Sequence, residues 1–267
     1  MSAYDHRHHV GNGGDVWKHV AWTALLATTK RDRVSVLDTH AGGGTYHLGN
    51  DGEWLAGIGK LQARWPDAGT GSGAVDRYLA RVAKWPRGQY PGSPALARHA
   101  LGKADRLVCY EVDPGAAGSL RRSLEPHPGL RVVEASGWEA PELTAREPWV
   151  VHVDPPYSDK EDWARAAVAV AAAHGAGHQL MLWYPIKRWS RPNLLLQQIR
   201  ESHVPYVALD LLWTPVELEK KRIVGAGVLL VGVARSVVAE LHAAAPVVGE
   251  ALATVDGRWS LRVTANG

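Results

Sequence analysis

The chain reads as an α/β domain on a doubly wound, mostly parallel sheet, and three observations lead there. Short β-branched runs end in an acid at VSVLD (34–38), RLVCYE (106–111) and WVVHVD (149–154). Helix-compatible segments separate these runs, as they must when parallel strands are joined by crossovers. The first run enters a glycine-rich tight turn, Ala41-Gly42-Gly43-Gly44. Such sheets hold ligands beyond the carboxyl ends of their strands. Asp38, Glu111 and Asp154 are therefore expected to line one crevice.

Taken in order, residues 1–12 are polar and read as an arm. From Asp15 to about Lys30, Val16, Val20, Ala24 and Leu25 share one helical face, with Asp15 placed to cap or start the helix. After the second strand comes a helix over 114–124, a strand at 131–135, and the apolar strand that runs into Pro155 and Pro156. An alanine-rich helix (161–174), a strand (179–185) and a helix (190–203) follow. The runs at 206–213 and 224–233 read as a closing antiparallel pair. A nucleotide-binding fold places its second-strand acid about 20 residues after the glycine turn, and Glu111 lies far beyond. Residues 47–95 thus read as an inserted helical subdomain in a main domain of 1–46 and 96–267.

The 267 residues suffice for a full core, and 46% hydrophobic with 21% charged residues is ordinary for a globular chain. No apolar run has membrane-spanning length, and the His-rich start lacks the apolar stretch of a signal peptide. A single cysteine fits a reducing compartment, so a cytoplasmic monomer is expected. The net charge of +3 permits a polyanionic partner without requiring one. Twelve Trp and no Phe is unusual. Trp keeps the apolar volume and adds an N–H that wants a partner.

The most specific feature is Asp154-Pro155-Pro156-Tyr157. The amino group of adenine is a poor nucleophile because its lone pair is delocalised into the ring. A carboxylate and a backbone carbonyl accepting its two N–H bonds localise that lone pair for in-line attack on a methyl donor. The prolines stiffen the loop and remove competing donors, freeing the Pro155 carbonyl. Tyr157 offers a flat face for a base taken out of its stack. Glu111 suits a ribose diol, since a carboxylate accepts both hydroxyl protons, though strand-end acids are also often merely solvated.

His6, His8, His9, His19 and His40 lack the Cys partners or helical spacing of a zinc site, so no metal is expected. Cys109, mid-strand, reads as a buried thiol, which disfavours covalent cytosine chemistry. Lys187, Arg188, Arg191, Lys220, Lys221 and Arg222 fall in loops near the carboxyl edge, placed to meet phosphates.

These residues, with the opening YDHRHHVGNGGDVWKH, LDTHAGGGTYHLG, YPGSPALA (90–97), YEVDP (110–114) and LWYP, resemble RlmJ, the 23S ribosomal RNA adenine-N6 methyltransferase family. The match runs from residue 4 to about 233. The resemblance implies a Rossmann-like fold, S-adenosylmethionine as methyl donor, 23S ribosomal RNA as partner and Asp154 as the catalytic acceptor. It implies donor contacts from His19, His40, Ser93, Glu111, Ser136, Gly137 and Asp154, and substrate contacts from Tyr4, His6 and Lys18. Pro155 and Tyr157 join the substrate side on the reading of the motif above.

Three departures stand out. The family has Asp-Gly where Ser136-Gly137 stands, so a weaker acceptor meets the donor's adenine. The middle glycine of 42–44 is Ala in relatives, a mild change. Gly13-Gly14 replaces bulkier residues and is expected to loosen the arm. Rival readings are the same chemistry on DNA and a non-catalytic binder of external DNA. A nicotinamide dehydrogenase is a more distant one, since GxGxxG is absent and the Asp-Pro-Pro-Tyr motif would have no role.

Overall fold

The computed structural model describes residues 9–29, 33–67, 69–124, 126–219 and 222–267. Tyr4, His6, His8, Lys220 and Lys221 lie outside them. The first described helix, α1 (Gly13–Thr28), buries most of its residues, including Val16, Val20, Ala24 and Leu25. Its cap is Asn12, whose side chain accepts from the Asp15 amide, so Asp15 is not the cap. The Asp15 carboxylate instead accepts from the Gly11 amide at 2.7 Å and pairs with Lys18.

Five strands form the parallel part of the sheet: β1 (Ser35–Asp38), β4 (Arg106–Tyr110), β5 (Leu130–Val133), β6 (Val150–Val153) and β7 (Gln179–Ile186). Here β2 (Thr45–His47) and β3 (Gln89–Pro91) form a separate antiparallel pair. The parallel order is β5-β4-β1-β6-β7, so the chain reverses its direction of travel at β1, flanked by β4 and β6. That is the switch point where a doubly wound sheet opens a crevice.

β9 (Gly225–Val231) pairs antiparallel with β7, and β8 (Tyr206–Leu212) with β9, so the runs at 206–213 and 224–233 do form an antiparallel pair. They do not close the sheet. A helix at Arg235–Leu252 and a strand β10 (Ser260–Asn266) follow, and β10 pairs with β8 at the edge. Both escape a pattern search: Pro246 interrupts the helical sequence, and β10 alternates weakly, with half-exposed residues on both faces.

Two apolar cores cover the two sheet faces. One holds α1, the C-terminal helix, and α2 (Ile58–Arg64) with α3 (Gly73–Val82). Ile58, Leu61, Val75, Tyr78 and Leu79 of the 47–95 segment thus share the core of α1. The other holds α6 (Glu161–Gly175) and α7 (Ser190–Glu201) against the opposite face. Between them in sequence, α4 (Ser93–Ala100) and α5 (Pro114–Ser123) flank β4. Trp17 and Trp22 are fully buried, and each indole N–H finds a carbonyl, of Leu209 at 3.2 Å and of Ser93 at 3.1 Å. Truncating either to Ala would cost about 3–5 kcal/mol.

Gly13 and Gly14 form the first turn of α1 rather than a slack arm. A Cβ at Gly14 would stand 3.0 Å from the Trp183 ring, and one at Gly13 3.2 Å from that of Trp213. The glycines make room for indoles. Cys109 is buried and free.

Candidate active site

The carboxyl ends of β1 and β6 meet through Asp38 and His152, which are register partners. His152 Nδ1 lies 3.2 Å from Asp38 Oδ1, and both side chains have no exposure. Burial works to raise the Asp38 carboxyl, but His152, together with hydrogen bonds from Ser93 and the His40 amide, outweighs it and holds the group below the usual carboxylate range. Asp38 therefore does not line the crevice as its strand-end position suggests. It lies beneath it and ties two strands together.

The chain then rises into the turn. The Thr39 hydroxyl donates to the His152 carbonyl at 3.0 Å, leaving its oxygen to accept from His40 Nδ1 at 2.8 Å. His40 is half-buried against the edge of Trp138, with centroids 4.5 Å apart. Burial pushes its pKa down to about 4. Gly42 and Gly44 take φ of 62° and 84°, and a Cβ at Gly44 would stand 2.2 Å from Ser123 Oγ. Only glycine meets both demands there. The Gly44 carbonyl accepts from the Gly92 amide at 2.7 Å, which seats the YPGSP segment, and Ser93 with it, against the turn.

Glu111, just past β4, accepts from the amides of Gly42 and Asp113, both at 2.8 Å. The acid is thus held against the glycine turn. Ser136 and Gly137 follow β5, and Gly137 packs so tightly that a Cβ would stand 1.8 Å from the Thr39 carbonyl oxygen. Glu111, His40 and the 136–137 segment, predicted from distant parts of the chain, border one another around the end of β1.

The acceptor side is built by α1 and β6. Lys18 Nζ lies 2.6 Å from Asp154 Oδ2 and 2.7 Å from Asp15 Oδ1, and 5.3 Å from the centroid of Trp183. Burial alone would lower its pKa, but the two carboxylates override that and push it up. Pro155 is buried. Tyr157 has φ of 52°, uncommon for a residue with a side chain, and is held by a hydroxyl bond to the Trp183 carbonyl at 2.8 Å and by contact with Trp163. One helical step from Lys18, His19 is buried, and its Nδ1 lies 2.8 Å from the Tyr90 hydroxyl. Burial, then Lys18, pushes its pKa down to about 3.

The family profile described as "Ribosomal RNA large subunit methyltransferase D, RlmJ" matches residues 32–264. The chain belongs to the RlmJ family. Ribosomal RNA large subunit methyltransferase J of Escherichia coli (strain K12) is 33% identical over 218 residues, covering 75% of this chain and 73% of that one. Its namesake in Haemophilus influenzae (strain ATCC 51907 / DSM 11121 / KW20 / Rd) is 29% identical over 205 residues, 70% and 71% of the two chains. Among solved structures, protein LPL1258 from Legionella pneumophila str. Philadelphia 1 superposes with a TM-score of 0.83. It is 24% identical, over 96% of this chain and 98% of that one. That likeness shows the fold.

Within this RlmJ-family fold the described candidates separate by element. His40, Glu111, Ser136 and Gly137 gather at the ends of β1, β4 and β5, and Lys18, Asp154 and Tyr157 at β6. Asp15, expected only as a helix cap, also builds the site, with Thr39, Tyr78, Tyr90, Trp138, His152 and Trp183, which the sequence does not single out. Tyr90 and Trp183 lie inside the YPGSP and LWYP segments, where their polar atoms are the local signal. His152 and Tyr78 carry no local signal. His9 pairs with Glu53 at 3.0 Å. Lys187, Arg188, Arg191 and Arg222 are exposed, but Arg191 lies in the first turn of α7 and not in a loop. Among the described residues no helix is long and apolar enough to cross a membrane.

Proposed function

We propose that the protein methylates the exocyclic N6 of an adenine in 23S ribosomal RNA with S-adenosylmethionine as donor. The observation that carries this reading is Asp154-Pro155-Pro156-Tyr157 at the end of β6, beside the β1 turn, with Lys18 fixing one carboxylate oxygen at 2.6 Å. Family membership supports ribosomal RNA over DNA.

The residues present fit the donor. His19 Nε2 is buried without a partner among the described residues, a group that wants a ligand atom. Gly137 leaves no Cβ at its contact with Thr39, and Glu111 stands beside the turn with both oxygens anchored. His19, His40, Ser93, Glu111, Ser136, Gly137 and Asp154 would hold it, Ser136 less firmly than the Asp of relatives. When bound, it supplies an electrophilic sulfonium methyl.

The chain's own residues do the rest. Lys18 takes Oδ2 of Asp154, so Oδ1 is free to accept one N–H of the adenine amino group. The Pro155 carbonyl accepts the other, since neither proline offers a competing N–H. The nitrogen lone pair is then localised and faces the methyl, and the amino proton leaves toward Asp154. Tyr157, held over Trp163, and the arm residues Tyr4 and His6 take the base. Lys187, Arg188 and Arg191 contact phosphates. The reading includes a cytoplasmic monomer, with residues 47–95 as an insertion in the main domain of 1–46 and 96–267, and no metal.

The test offers radiolabelled S-adenosylmethionine with naked 23S RNA and with duplex DNA. Label in RNA, lost in Asp154→Ala with the fold intact, is expected. Label only in DNA overturns the reading.

A further inference from the structure

We propose that Tyr78 and Tyr90 are positioning residues that set the tautomer of His19, so that its Nε2–H is a donor to the carboxylate of the methyl donor. This rests on the functional reading above and deepens it.

Three side chains from three elements form a buried chain of hydrogen bonds. Tyr78 Oη of α3 lies 2.8 Å from Tyr90 Oη of β3, and Tyr90 Oη lies 2.8 Å from His19 Nδ1 of α1. All three residues are at most 2% exposed. His19 and Tyr90 also stack, with ring centroids 5.6 Å apart.

Three proton arrangements satisfy these distances. In two of them His19 Nδ1–H donates to Tyr90, and one hydroxyl hydrogen is left over: that of Tyr78 if Tyr90 donates to it, or that of Tyr90 if Tyr78 donates instead. Tyr90 is the one hydrogen-bonding partner that the Tyr78 hydroxyl has among the described residues. Either arrangement strands a buried donor, which carries its full desolvation penalty. In the third, Tyr78 donates to Tyr90, Tyr90 donates to His19 Nδ1, and every hydroxyl hydrogen has an acceptor. His19 is neutral, because burial and Lys18 both disfavour the charged ring. The one remaining ring hydrogen therefore sits on Nε2.

Nε2 is the atom that has no protein partner. As a buried N–H donor with no protein acceptor among the described residues it suits an anionic acceptor. The methyl donor carries one such group, its α-carboxylate. A bond donated into Nδ1 also polarises the ring and strengthens donation from Nε2. The 47–95 segment, which supplies Tyr78 and Tyr90, thereby acts on the site through His19 without touching the reacting atoms.

The experiment uses the full chain with 15N-labelled histidine. The His19 signal is identified as the one missing from His19→Gln. It is expected to report the Nε2–H tautomer in the ligand-free protein, a readout that a purely structural role would not move. Tyr90→Phe is expected to weaken S-adenosylhomocysteine binding by calorimetry roughly fivefold to tenfold. Tyr78→Phe should weaken it less, because Tyr90 keeps its bond to the ring. In a His19→Gln background, Tyr90→Phe should add nothing further. An Nδ1–H tautomer in the parent chain overturns the inference. So does unchanged binding by Tyr90→Phe, or an equal loss in the His19→Gln background. A parent chain that binds no S-adenosylhomocysteine overturns the functional reading itself, and shows before any variant is compared.

Discussion

Lys18 holds Asp154 at 2.6 Å while its other side is bound to Asp15 at 2.7 Å, so one buried ammonium serves two carboxylates of different elements. Removing it should act on stability and on turnover. Lys18→Met leaves two carboxylates, 13% and 14% exposed, without their shared cation. The expected loss is about 2–4 kcal/mol, because an unpaired buried charge keeps its desolvation cost. Turnover should fall roughly 100-fold as Asp154 loses its fixed orientation. Adding Asp15→Asn should restore part of the stability and none of the turnover. Denaturant melts with single-turnover methylation check both, and recovery of turnover in the double variant would count against an orienting role.

Acid should destabilise the protein earlier than its carboxylates require. His19 has a pKa of about 3 in the folded chain against 6.5 unfolded, and His40 about 4. Between those values the unfolded state binds more protons than the folded state, so stability falls as pH falls. His19 alone contributes about 1.4 kcal/mol per pH unit below 6.5, or about 2 kcal/mol by pH 5. His40 acts in the same direction. Melts of the parent and of His19→Gln at pH 7 and pH 5 check this, the variant losing about 2 kcal/mol less. Equal losses in the two proteins would be the contrary result.

The contrast between Asp38 and Glu111 shows what the sequence can reveal. Both end a β-branched run, and the same pattern places both at the carboxyl edge, where both are found. Which of them faces the crevice depends on a partner. His152 lies 114 residues from Asp38, and nothing near either residue announces the pair. Long-range partners are invisible to periodicity, which reports only which face a residue is on. The same limit hides Tyr78, whose hydroxyl meets that of Tyr90 from a different element. Asn12 is legible in kind, since an Asn just before a helix is a preferred cap, but the charged Asp15 three residues on is the stronger signal in the sequence. Gly13 and Gly14 look slack in the sequence because their neighbours in space, Trp213 and Trp183, come from distant parts of the chain. Asp-Pro-Pro-Tyr was legible because its chemistry is contained in four consecutive residues.

Gly137 should resist even a methyl group. Its Cβ would stand 1.8 Å from the Thr39 carbonyl oxygen and 2.6 Å from the carbonyl carbon, both backbone atoms that no rotamer change can move. Gly137→Ala must therefore part the 136–137 segment from the end of β1. A loss of about 2–4 kcal/mol is expected, with weaker S-adenosylhomocysteine binding. Gly175, at the end of α6, has open space at its Cβ. Gly175→Ala should be neutral or stabilising by a few tenths of a kcal/mol. Thermal melts of the two variants side by side decide the matter, and similar melting points would refute the packing argument.

The last strand should be held by one ion pair more than by any other. Arg262 of β10 reaches the fully buried Asp210 of β8 with Nε at 2.9 Å and Nη2 at 2.7 Å, while stacking 3.7 Å over Trp189. The Tyr184 hydroxyl donates to the other carboxylate oxygen at 2.6 Å. Arg262→Met strips Asp210 of its cation and should cost about 3 kcal/mol. Arg64 and Glu250 also lie 2.9 Å apart, but each is about half exposed, at 51% and 49%. Arg64→Met should change stability by less than about 1 kcal/mol, because water and salt already screen that pair. Asp210→Asn in the Arg262→Met background removes the stranded charge and should recover much of the loss. Urea melts of the four proteins test the ranking. If Arg64→Met matched Arg262→Met, distance rather than burial would be the controlling variable, and the account of β10 would fail.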